Sequence, residues 1–144
     1  MEPGAKTRKF LIATHGTFAA GVKSSLDIII GAMEHVFLIQ AYVGSLPGIE
    51  EQIRHVLEQL SETDELIVFT DILGGSITNQ VLQHALKPHV HVISGFNLPL
   101  LIEIMMADTE TSVEETIASA IDSAKEQMTY VNKLLTAQKE NDND

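Results

Sequence analysis

The chain has 144 residues, 44% of them hydrophobic and 20% charged, which is enough for one domain with a substantial core. It has no cysteine, which excludes disulfide scaffolds, thiolate zinc sites, iron–sulfur clusters and thiol nucleophiles. Nine Lys and Arg stand against 20 Asp and Glu, a net charge of −11, so the basic footprint of a nucleic-acid binder is absent.

The predicted elements alternate in type along the chain. Residues 1–7 are expected to be a disordered N-terminus. Lys6, Arg8 and Lys9 precede an apolar run that stops at Thr14-His15-Gly16, too short for a signal peptide, so a cytoplasmic protein is expected. Phe10–Ala13 reads as a first strand, and Ala19–Ile30, with Val22, Leu26, Ile29 and Ile30 three and four apart, as a helix. Val36–Ala41 is a second strand, followed by a helix over Pro47–Leu60 that repeats Ile49, Ile53, Val56, Leu57 and Leu60. Glu65–Thr70 is a third strand, Ser76–Leu86 a helix stopped by Pro88, and His89–Ser94 a fourth strand. Pro99–Ala107 is a helix, and Val113 to about Leu135 a long amphipathic one opened by Ser112 and Glu115 in a capping-box arrangement. Residues 101–144 hold 10 acids and 3 bases, against 10 and 6 in residues 1–100, and 136–144 reads as an acidic frayed tail.

Short apolar runs alternating with helices predict an α/β fold. The expected architecture is a doubly wound, mainly parallel sheet in the order 2-1-3-4, with room for a fifth edge strand and helices on both faces. Residues 8–135 contain no Pro/Gly/Ser linker and read as a single domain. No apolar stretch approaches the roughly 20 residues of a membrane span, so direct membrane insertion is not expected.

In such folds the chemistry sits at the carboxyl ends of the strands. The first strand ends in Thr14-His15-Gly16, the third in Thr70-Asp71 followed by Ile72-Leu73-Gly74-Gly75-Ser76. Taken singly each has an ordinary reading: a loop histidine, a helix-capping carboxylate, a glycine turn. Together they say more. If the first and third strands are neighbours, Asp71 comes within reach of His15, holds Nδ1–H and leaves Nε2 a free nucleophile. Gly74, Gly75 and Ser76 then stand as an anion cradle where a phosphoryl oxygen would land. P-loop, dinucleotide and serine-hydrolase motifs are all missing, and Thr14-His15 occupies the point where a phospho-aspartate receiver carries an acidic pair.

Three segments, Phe10–Gly16 (FLIATHG), Phe69–Asn79 (FTDILGGSITN) and Ser94–Leu101 (SGFNLPLL), resemble the enzyme IIA component of the mannose-type family of the bacterial phosphoenolpyruvate:sugar phosphotransferase system. The resemblance covers about residues 8–130. It implies that His15 is phosphorylated by the histidine-containing phosphocarrier protein and passes the group to a IIB component. It also implies Asp71 as the orienting carboxylate, Ser76 as a phosphate-contacting hydroxyl, and Thr14, Gly16 and Asn97 as lining residues. A homodimer, sometimes with exchange of a terminal strand, and an enzyme that meets phosphohistidine proteins rather than sugar complete the implied picture. No cofactor or metal is expected. His89 and His91 share a strand face but lack a third ligand, and are expected to meet solvent at a strand end. His35, His55 and His84 are expected to face water, and Met105, Met106 and Met128 to serve core or dimer packing. The alternatives are the phosphoryl-donor subunit of a dihydroxyacetone kinase and a non-catalytic regulatory module of the same fold.

Overall fold

The computed structural model describes residues 7–85 and 87–142, which leaves most of the expected N-terminal disorder and the last two tail residues outside the described chain. Four strands form one parallel sheet: β1 (Arg8–His15), β2 (Val36–Ala41), β3 (Glu65–Thr70) and β4 (Val90–Ser94), in the order β2-β1-β3-β4. The two central strands are the most buried. Leu11 to Thr14 and all of β3 are buried. Phe10 pairs with Val36 on one side and Ile67 on the other, and the register runs unbroken to His15↔Ala41 and Ala13↔Thr70.

The chain divides into two compact units, residues 1–98 and 99–144. In the first, the helices are α1 (Phe18–Ile30), α2 (Ile49–Glu58) and α3 (Ser76–Leu82). One sheet face contributes Leu11, Ala13, Ile39, Ala41, Leu66 and Val68 to a core completed by Ile49, Ile53 and Val56 of α2 and Ile77 and Val81 of α3. The alternate residues Phe10 and Phe69 stack on the opposite face with ring centroids 6.4 Å apart. Helix α1 packs on β1 and β2 and buries Ala19, Val22 and Leu26. The second unit holds α4 (Leu98–Met105) apart from its first residue, α5 (Val113–Gln127) and α6 (Val131–Asp142). Among the described residues no helix is long and apolar enough to cross a membrane.

Several elements differ from their sequence patterns for local reasons. Helix α3 ends at Leu82 because His84, Ala85 and Lys87 donate to carbonyls three residues back, tightening the expected last turns. The single helix expected from Val113 to Leu135 is two, interrupted where Met128 turns extended and the Thr129 hydroxyl donates to the Glu126 carbonyl at 2.7 Å. No glycine or proline marks that break. The segment expected as a frayed tail is helical as far as Asp142, and every described residue of α6 is exposed.

The spare histidines also depart from expectation. His89 and His91 do not simply meet solvent: both reach the buried carboxylate of Glu65, His89 Nδ1 at 3.0 Å from Oε1 and His91 Nε2 at 2.7 Å from Oε2. The β3–β4 register, Leu66↔Val90 and Ile67↔His91, brings the three side chains together. His35 and His55 are exposed as expected, but His84 is half-buried, its Nδ1 buried with no hydrogen-bond partner among the described residues. Burial, with the nearby Lys87 charge, lowers the His84 pKa below its ordinary value against the smaller opposing pull of Glu50.

An ion pair fastens the start of the sheet. Asp64, buried ahead of β3, lies 2.8 Å from Lys9 Nζ and accepts the Ser61 N–H at 2.8 Å. Burial alone would raise its pKa, but the bonds from Lys9 and Ser61 outweigh that and hold it below the ordinary carboxylate value. A depressed carboxyl contributes stability that is present above its unfolded value of about 4 and is lost as pH falls through the folded value. Asp64→Asn is therefore expected to cost about 1–3 kcal/mol at pH 7 and progressively less under acid. Urea unfolding at pH 7 and pH 3 checks this; an equal loss at both would detach the effect from ionisation.

Candidate functional site

The strand order reverses between β1 and β3, so the chain leaves these two strands in different directions and opens a crevice at their carboxyl ends. His15 is the last residue of β1, and Asp71 follows the last residue of β3. Because Ala13 pairs with Thr70, the two residues emerge side by side.

Asp71 grips His15 twice. Its Oδ2 accepts the His15 backbone N–H at 3.0 Å and also lies 3.0 Å from Nδ1, with Oδ1 at 3.3 Å. An ionised carboxylate can only accept, so Nδ1 carries the proton and the lone pair resides on Nε2. Nε2 has no hydrogen-bond partner among the described residues, and the imidazole is 40% exposed while Asp71 is 11% exposed. Burial would raise the Asp71 pKa, but the backbone and ring bonds from His15 and the electrostatic attraction between the two side chains outweigh it and draw it below the ordinary value.

The surrounding loops are fixed by specific bonds. Gly16 takes a left-handed φ of +58° and donates its N–H to the Ala41 carbonyl at 2.8 Å, tying the end of β1 to that of β2. Gly74, at φ +81°, turns the chain after Asp71, and Gly75 runs so close to the imidazole that a Cβ there would meet His15 Cε1 at 3.5 Å. Thr78 of α3 anchors this loop from below: its hydroxyl donates to the Ile72 carbonyl at 2.6 Å and lies 2.9 Å from Thr70 Oγ1. Ser76 opens α3 with its side chain exposed. Beside the site the same loops expose Phe18, Ile72 and Leu73.

One expected lining residue has a different position. Thr14 is fully buried and does not face the crevice: its Oγ1 accepts the Ala19 N–H at 2.8 Å and caps α1, whose N-cap residue Thr17 makes no such side-chain bond. Asn97 is half-buried in the loop after β4, where Gly95 donates to the Thr70 carbonyl at 2.9 Å and Phe96 stacks on Phe18 at 5.7 Å. One neighbour of His15 escaped the sequence reading. Tyr42, just past β2, sets its ring 5.9 Å from the imidazole and its hydroxyl 2.6 Å from Ser76 Oγ. Its only sequence signal was an aromatic residue at the carboxyl end of a strand flanking the first.

The model of one protein family, described as the PTS system fructose IIA component, matches residues 9–121. The chain is 29% identical over 127 residues to the PTS system mannose-specific EIIAB component of Escherichia coli, a match that covers 83% of this chain and 38% of that protein. It thus spans well under half the length of that relative. Among solved structures, one from Klebsiella pneumoniae, described as a candidate phosphoenolpyruvate-dependent sugar phosphotransferase system permease, superposes with a TM-score of 0.86 at 33% identity, covering 94% of this chain and 98% of that one. The phosphotransferase system component EIIA of Streptococcus agalactiae follows with a TM-score of 0.76 at 26% identity, covering 88% and 99%.

Proposed function

Because the chain belongs to the mannose- and fructose-type PTS IIA family, we propose that His15 accepts a phosphoryl group on Nε2 from the histidine-containing phosphocarrier protein and passes it to a IIB component during sugar uptake. One observation carries this reading: the His15 ring is held by Asp71 through Nδ1 while Nε2 is uncommitted on a part-exposed edge. That is the state a nucleophilic imidazole requires.

In the transfer, the Nε2 lone pair attacks phosphorus as the donor's N–P bond breaks, and the bonding pair stays with the donor ring. The Nδ1 proton remains on His15, held by Asp71, so positive charge that develops on the imidazole meets a carboxylate already in contact. Little covalent work is asked of the protein, and the gain comes from positioning and charge stabilisation. Ser76, with the backbone of Gly74 and Gly75, supplies donors to the phosphoryl oxygens. The exposed Phe18, Ile72 and Leu73 suit a protein partner, since their apolar area is covered only when another surface docks.

Incubation with phosphoenolpyruvate, the first enzyme of the system and the phosphocarrier protein tests the proposal. Acid-labile phosphate at one phosphate per chain, discharged on adding a IIB component, is the expected result. A chain that takes no label, or label stable to acid, would overturn it.

A further inference from the structure

Tyr42 is held in a costly conformation. Its φ is +64°, the left-handed region that a bulky L residue rarely adopts, and its side chain is 72% exposed, so core packing does not demand that backbone. What holds it is on either side. Ala41 is tied to Gly16 through the 2.8 Å bond that joins the ends of β1 and β2, and the Tyr42 hydroxyl is tied to Ser76 at 2.6 Å. Between those anchors the ring stands next to the His15 imidazole, centroids 5.9 Å apart and planes inclined by 31°. Tyr42 thus forms a strap that runs from β2 beside the imidazole to the first residue of α3.

The chemistry of the two hydroxyls gives the strap a role. Each has one proton, so one donates to the other and a single O–H is left for a third group. The phenol is the more acidic and the better donor, which favours Tyr42 donating to Ser76 Oγ. The Ser76 O–H is then left free, and it is polarised because its oxygen already accepts a short bond. We propose that Tyr42 is a positioning residue for phosphoryl transfer: it orients the Ser76 proton toward the phosphoryl oxygens on His15 Nε2 and shields one face of the phosphorylated imidazole from water. The inference rests on the phosphoryl-accepting role of His15 and assigns a part to a residue outside the His15–Asp71 pair.

The test compares wild type, Tyr42→Phe, Ser76→Ala and the double variant. Its readouts are the rate of His15 phosphorylation by saturating phosphocarrier protein and the lifetime of the isolated phosphoprotein. Tyr42→Phe keeps the ring and removes only the hydroxyl, and loss of one such bond is worth on the order of fivefold in rate. Ser76→Ala is expected to cost at least as much. The double variant is expected to be no slower than Ser76→Ala, because the phenol acts through that serine. Tyr42→Ala, which removes the shield as well, is expected to shorten the phosphoprotein lifetime beyond the Tyr42→Phe value. Rates for Tyr42→Phe equal to wild type, or losses that simply multiply in the double variant, overturn the inference while wild type still accepts phosphate. A wild type that accepts none overturns the underlying role of His15 instead, and the inference with it.

Discussion

Replacing His15 with alanine is expected to remove all acid-labile phosphate from the protein while the fold persists. The ring is 40% exposed and makes its polar contact with a single residue, so its loss opens no core cavity. The backbone N–H of residue 15 remains available to Asp71, which keeps the ends of β1 and β3 together. A stability change of about 1 kcal/mol is expected, small against a complete loss of acceptance. The measurement is label transfer from phosphoenolpyruvate through the phosphocarrier protein, with thermal unfolding of the same sample as the check on folding. Label retained by His15→Ala would move the acceptor elsewhere, with the exposed His35 and His55 as the first positions to map.

Asp71→Asn is expected to slow acceptance by on the order of a hundredfold without abolishing it. The carboxylate accepts from two donors, the His15 N–H and Nδ1–H. An amide oxygen in the Oδ2 place can still accept from both, but it carries no charge, and the NH2 group then stands in the Oδ1 place, 3.3 Å from Nδ1, where it opposes the Nδ1 proton. The imidazole escapes the conflict by moving its proton to Nε2, which removes the lone pair needed for attack. The variant is also expected to change the response to acid. The Asp71 pKa lies below its ordinary value, so its stabilising contribution is present above about pH 4 and is lost as pH falls through the folded value. Asp71→Asn lacks that contribution at every pH, and its stability should approach that of wild type only in strong acid. Single-turnover acceptance rates and unfolding at pH 7 and pH 3 measure both effects. A rate within twofold of wild type would reduce Asp71 to a tether between strands.

The sheet order and the His15–Asp71 pair were legible because each depends on short-range signals: an apolar run, a polar residue ending it, and a topological rule that joins two such ends. What escaped depends on register or on three-dimensional neighbours. The pairing of Glu65 with His89 and His91 follows from the β3–β4 alignment, which no local pattern specifies. The family resemblance implied Thr14 as a lining residue, yet strand alternation turns its side chain inward to the start of α1. Tyr42 was hidden because its importance lies in a backbone conformation and a bond to a residue 34 positions away. The break between α5 and α6 was invisible because apolar spacing continues through Met128, Val131 and Leu135 with only weak helix formers, Thr129 and Tyr130, at the gap.

Helix α2 lends a side chain to β2 that changes what the sheet can do with its neighbours. The Gln52 amide copies the edge of a strand: its Oε1 accepts the Gln40 N–H at 3.3 Å, and its Nε2 lies 3.5 Å from the Gln40 carbonyl and 2.6 Å from that of Pro47. Among the described residues β2 pairs only with β1, so this amide sits where an incoming strand would have to bond. An aggregating chain that tried to template on this border would first have to displace Gln52 from both carbonyls and from the N–H. One glutamine thus covers the outward N–H and carbonyl of Gln40, with no proline or bulge on the strand itself.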